Sequence, residues 1–206
     1  TFNRGQVSHE YLMVEYLMND EEMEQSFRLK LNDAGADISE LKAGIRFSTS
    51  DIGASKVYAS VFYDADGVRT TCNSGIALEH KGEASPQLYA ESCKQLGMVF
   101  KESEELIEKL GNMNISDVAG VVQEIRENYS IFPKGISEKV EAELRIQYPG
   151  GGTAIDVYLA LNDIIQRYSE ENKISPTRYL NLSEQVAKLM HLPFERIDQG
   201  EEWKKI

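Results

Sequence analysis

The sequence predicts an α+β protein: an antiparallel β-meander of three to five strands packed by helices, with a C-terminal helical pair. Three observations carry that expectation. Residues 45–81 hold short β-branched and aromatic runs separated by Gly, Asn and Asp turns. Residues 86–110 trace one apolar stripe at helical spacing. Pro149-Gly150-Gly151-Gly152 then breaks the helical second half before two further amphipathic segments.

Taken in order, residues 8–25 read as a helix, with Ser8 as N-cap and Tyr11, Leu12, Glu15 and Tyr16 at 3.6-residue spacing. The alternation of Phe27, Leu29 and Leu31 reads as a short strand, closed by the turn Asn32-Asp33-Ala34-Gly35. Ile45, Phe47 and Thr49 alternate as a first meander strand. Lys56 to Tyr63 is the second, and Asp64-Ala65-Asp66-Gly67 is a hairpin loop. Val68 to Cys72 returns, and Ile76 to Lys81 completes the set.

Ser85-Pro86 opens the long helix, and Leu88, Cys93, Leu96, Val99, Phe100, Leu106, Ile107 and Leu110 form its stripe until Gly111 stops it. That stripe predicts the organising helix of the core. Ser116 and Ser137 each cap a shorter helix. Thr153 with Asp156 makes a capping-box start, and Ser175-Pro176 opens the last helix. The glycines predict a joint between a core domain, 1–148, and a helical subdomain, 149–206. The charged tail from Asp198 is expected to fray.

The 206 residues carry a formal charge of −12, and a strongly acidic chain repels nucleic acid except at a local patch. Only residues 42–82 escape the acidity, with five basic against four acidic residues. No apolar run approaches the roughly 18 residues of a membrane span. No basic-then-apolar start marks a secretory signal, and Cys72 and Cys93 form no ligand or CxxC spacing. A cytoplasmic protein with reduced thiols, no membrane contact and no metal or cofactor is expected.

His9, His80 and His191 share no metal-ligand spacing, and no nucleophile motif occurs. The clusters Asp20, Glu21, Glu22, Glu24 and Glu102, Glu104, Glu105, Glu108 read as solvated helix faces. The glycine run lacks the Lys of a phosphate loop, since Gly152 precedes Thr153. Strand parity instead gathers Arg46, Lys56, Tyr58, Phe62, Arg69 and Lys81 on one side of the meander. Bases interleaved with aromatics on a sheet suit single-stranded nucleic acid, through stacking and phosphate contact. A polar outer sheet face with aromatic cross-strand pairs has the same composition.

Gly44-Ile45-Arg46, Ser50-Asp51-Ile52-Gly53-Ala54-Ser55 and Cys72-Asn73-Ser74-Gly75, with the paired strands among them, resemble the phage- and plasmid-associated DUF932 family. Thr153-Ala154-Ile155-Asp156-Val157-Tyr158-Leu159-Ala160 is similar to that family's T-x-W-D-V-Y-N-A helix start, with Ile155 at its tryptophan and Leu159 at its asparagine. Ser175-Pro176-Thr177-Arg178 fits the helix opening that follows. The resemblance implies a mobile-element origin and brings neither an activity nor a functional residue. The order of elements also resembles the β-β-β-α core of phage single-strand annealing proteins, a likeness of fold alone.

The expectation that follows is a non-enzymatic phage protein that binds or anneals single-stranded nucleic acid as a homo-oligomer. One alternative is an acidic protein-binding module that targets a host or defence protein. The other is an enzyme with a site assembled from scattered residues.

Overall fold

The computed structural model describes residues 2–8, 11–33, 35–50, 56–71, 76–79 and 86–206. It is the predicted α+β class. Strands β1 (Phe2–Ser8), β2 (Tyr11–Leu17), β3 (Leu41–Ser50) and β4 (Lys56–Ala65) form an antiparallel meander. β5 (Val68–Thr71) and β6 (Ile76–Glu79) both pair with β4, at opposite ends of it, giving six strands. Helix α1 (Glu21–Asp33) lies between β2 and β3, and α2 (Pro86–Gly111) follows the sheet. A short ribbon, β7 (Asn114–Ile115) with β8 (Gly152–Thr153), flanks α3 (Val118–Asn128) and α4 (Lys134–Gln147). Helices α5 (Ala154–Asn172), α6 (Pro176–Lys188) and α7 (Phe194–Asp198) complete the chain. No helix among the described residues is long and apolar enough to cross a membrane.

The N-terminal segment differs from its reading. Residues 11–17 form a strand, because their long-range partner lies on β3: Glu15 sits opposite Arg46 and Tyr16 opposite Ile45. Helical spacing of Leu12, Glu15 and Tyr16 was coincidental with a period-2 pattern in which Met13 and Glu15 are buried and Leu12 and Tyr16 exposed. The segment read as a strand at 27–31 is the end of α1. Phe27 and Leu31, four apart, are buried, while Leu29 is exposed. The Asp20 carboxylate accepts from the Met23 amide at 3.0 Å, and acids fill the first turn, both favourable at a helix N-terminus.

The sheet is sandwiched. One face, carrying Ala43, Val61 and Tyr63, packs on α1 and α2, with the Tyr63 ring 5.2 Å from Phe27 and 6.3 Å from Phe100. The opposite face carries Glu15, Arg46 and Phe62, and α6 crosses it from β5 to β2. α5 runs beside β5, where the Tyr158 hydroxyl donates to the Thr71 carbonyl at 2.7 Å.

The core centres on α5 rather than on α2. Ten of its residues, from Ala154 to Ile165, are buried, whereas of the described stripe residues of α2 Val99, Ile107 and Leu110 are buried and Leu96, Phe100 and Leu106 half-buried. A helix on the sheet buries one stripe; α5 touches α2, α3, α4, α6 and β5 and so buries nearly its whole first half. Residues on both sides of position 149 share one hydrophobic cluster.

The glycines before α5 are anchored rather than loose. Gly152 belongs to the β7–β8 ribbon, and Gly151 at φ +91° lies so close to the Ile115 carbonyl that a Cβ would collide with it. The Thr153–Asp156 capping box forms as read, and Ser175 caps α6 by accepting from the Arg178 amide. The tail is pinned instead of frayed. Asp198 accepts from the Ser116 and Asp117 amides, and Trp203 stacks on Tyr129 with ring centroids 6.3 Å apart.

Candidate functional site

Three places among the described residues hold chemistry. The first is the charged face of the sheet, where the sequence gathered its nucleic-acid candidates. Arg46 and Arg69 converge on one carboxylate, Glu15, which is fully buried. The Arg46 Nε donates to Glu15 Oε1 at 2.8 Å, and Arg69 Nη1 pairs with Oε2. Asp64 stands 3.6 Å from Arg69 and balances the second positive charge. Both guanidinium carbons lie about the Phe62 ring, at 5.5 Å and 5.4 Å from its centroid, and Tyr179 of α6 meets Arg46 at 5.6 Å.

The structure thus brings Arg46, Phe62 and Arg69 together, but beneath α6. Arg46 is 1% exposed and Phe62 fully buried, so the open base-and-aromatic surface expected there is closed at this end. The reason is the C-terminal half of the chain, whose helices land on this face and supply Tyr179. Tyr58 lies farther along β4 and is 45% exposed. The side chain of Lys56 and the whole of Lys81 fall outside the described residues, as do Asp51–Ser55 and Cys72–Gly75 of the family-like motifs. Glu15, the centre of the cluster, was missed because β2 was read as a helix.

The second place is a pocket of about 180 Å³ among the β4–β5 turn, α4 and α5, lined by Asp37, Asp66, Glu143, Asp156, Asp163 and Arg167 over an apolar floor. Four of its five carboxylates, those of Asp66, Glu143, Asp156 and Asp163, are engaged internally. Asp156 accepts from the Thr153 amide and hydroxyl and from Tyr148. Burial, with the Asp156 charge beside it, pushes the Tyr148 hydroxyl far above its ordinary pKa. Arg167 clamps Glu143 with two hydrogen bonds and Asp163 with a third. Burial nevertheless holds the Asp163 pKa above the usual carboxylate value. Asp66 is taken up by Ser39 and the Glu40 amide. These bonds make the pocket wall a framework of the fold. Among the described residues no group of three or more His, Cys, Asp or Glu side chains is arranged to hold a metal.

The third place is the apolar sheet face at the β1–β3 end. α2 packs on β4 and β6 and α1 on the Leu41–Ala43 end of β3, and among the described residues no helix packs extensively on β2 from this side. Leu12 is 41% and Tyr16 44% exposed there, with Val14, Ile45 and Phe47 half-buried beside them. Cross-strand register aligns Val14 with Phe47 and Tyr16 with Ile45, and the Tyr16 and Phe47 rings meet edge-on at 6.2 Å. On β1, Phe2, Gly5 and Val7 stand opposite Tyr16, Val14 and Leu12. One border of this surface is a groove lined by Glu21, Glu24 and Glu40 together with Arg28 and Lys42. Lys42 is already paired with Glu40 at 2.6 Å, and Arg28 donates to the Ser39 carbonyl. The border is therefore acidic in balance, with three carboxylates against two cations.

No family model, no curated protein and no solved structure matches the chain.

Proposed function

We propose that the chain is a protein-binding module whose docking surface is the apolar β1–β3 end of the sheet. The supporting observation is that surface itself: Leu12, Val14, Tyr16, Ile45 and Phe47 lie contiguously on one face, where a sheet packed on both sides would carry another layer. Its partner is a protein that presents an apolar surface with positive charge at its edge. The acidic border at α1 and a chain charge of −12 favour a basic partner and disfavour both nucleic acid and a second copy of this chain. The nucleic-acid reading retains Tyr58 as its exposed aromatic, while Arg46 and Phe62 serve the interior.

Site-specific photo-crosslinking tests the reading. A benzophenone side chain is placed at position 12 or 16 in cells, with positions 29 and 98, exposed on α1 and α2, as controls. A discrete adduct at 12 and 16 that protease removes and nuclease leaves intact is expected, with none at 29 and 98. Nuclease-sensitive adducts, adducts of twice the chain's own mass, or equal labelling at all four positions would overturn it.

A further inference from the structure

Resting on that docking surface, the geometry points to the form of the occupant: an amphipathic α-helix with a basic outer face. On the apolar side of the sheet the covering layer is helical and advances strand by strand. α2 lies over β6 and β4, and α1 over β3. The next position, over β2 and β1, is vacant among the described residues. α1 buries β3 at Leu41 and Ala43 and leaves it half-buried at Ile45 and Phe47, so at that end β1–β3 span about 10 Å between their outer axes at about 4.8 Å per strand, and a helix with its side chains is about 10–12 Å across. One helix therefore fits this width.

The exposed side chains suit the same occupant. Leu12 and Tyr16 are two pleats apart on β2, about 14 Å along the strand. That length matches about nine residues of helix at 1.5 Å each, so residues at i, i+3, i+4 and i+7 of an incoming helix reach from one to the other. Val14, Ile45 and Phe47 form the floor between them. The acidic border lies on the α1 side, with Glu21, Glu22 and Glu24 in the first turn of that helix. Lys or Arg residues flanking the apolar stripe of the occupant meet these carboxylates. An added strand pairing with β1 would lie beside the sheet instead of upon it, leaving Leu12 and Tyr16 exposed.

Three synthetic 18-residue peptides separate these modes by fluorescence anisotropy with the full chain. The first carries Leu at helical spacing with Lys elsewhere, the second the same composition in strict alternation, and the third Leu at helical spacing with Glu elsewhere. The helical Lys peptide is expected to bind at least tenfold tighter than either of the others. Leu12→Asp is expected to weaken it at least tenfold, with Leu12→Asn intermediate and thermal melts confirming that both variants fold. Alternating peptide bound as tightly, with the same dependence on Leu12, overturns the helical occupant and leaves the docking surface standing. Binding by any of the peptides that ignores position 12, or no binding at all, overturns both.

Discussion

Glu15→Ala removes the carboxylate on which two arginines converge. Arg46 is 1% exposed and Glu15 fully buried, so water cannot replace the lost partner. Arg69 keeps Asp64 at 3.6 Å; Arg46 keeps a hydrogen bond to the Thr71 hydroxyl at 3.2 Å and two aromatic rings. Breaking one side of a buried ion pair costs about 3–5 kcal/mol, most of it the stranded charge. For a chain of this length that corresponds to a fall in Tm of roughly 6–20 °C, at 2–4 °C per kcal/mol. Urea denaturation followed by circular dichroism measures the loss. The double variant Glu15→Ala/Arg46→Met removes the stranded charge as well and is expected to be more stable than Glu15→Ala alone, a non-additivity of contacting residues. A single-variant loss below about 1 kcal/mol, the range of exposed pairs, would refute a dry, tightly coupled cluster. So would a double variant weaker than the single.

Gly44→Ala is expected to destabilise by roughly 1–3 kcal/mol, because its Cβ would run into the Phe62 ring and the Tyr16 carbonyl; the urea midpoint reads it. Tyr158→Phe removes the buried hydrogen bond to the Thr71 carbonyl between α5 and β5 and is expected to cost about 0.5–1.5 kcal/mol by the same assay. The fourth prediction concerns acid. Burial would raise the Asp198 pKa, but the Ser116 and Asp117 amides and the Ser116 hydroxyl outweigh it and hold the carboxyl below its ordinary value. A depressed folded pKa stabilises above the unfolded value of about 3.9 and is lost as pH falls through the folded one. Asp198→Asn is therefore expected to lower the urea midpoint at pH 7, with the gap to wild type closing below about pH 4. Asp163, raised by burial, works in the opposite sense. A gap constant from pH 7 to pH 2.5 would show that Asp198 does not carry the contact.

What could be read in the sequence was local. Pro86, Gly111, the Thr153–Asp156 box and Ser175-Pro176 mark helix ends from within a turn of the chain and stand where expected, whereas Asp117 rather than Ser116 caps α3 and Ser137 lies inside α4. The β3–β5 hairpins are likewise short-range, with alternation and turn residues adjacent. Residues 11–33 were misread because their periods are ambiguous over seven residues. Phe27, Leu29 and Leu31 alternate like a strand, yet Phe27 and Leu31 alone face the core. Asp20 followed by three acids was the available helix signal. Glu15 is uninterpretable without Arg46, which lies 31 residues on. Strand parity does place Arg46, Phe62 and Arg69 on one face, but periodicity within a strand carries no information about which helix covers it. Tyr179, more than a hundred residues away, supplied that cover.

Glu15 also acts as a key during assembly. β2 finds β3 across the whole of α1, and its side chains alternate between a charged and an apolar face. A slip of one residue would turn every β2 side chain over. The carboxylate would then enter the apolar face beside Ile45 and Phe47, and Arg46 would meet Val14 or Tyr16. Such a mispaired chain leaves Arg46 buried without its carboxylate, at a cost of several kcal/mol, whereas an apolar residue at position 15 would remove the pairing that marks the right alignment. The charged residue thus rejects the wrong partner alignment as well as holding the right one. Chains in which it is made neutral are candidates for mixed β2–β3 pairings even where their overall stability survives.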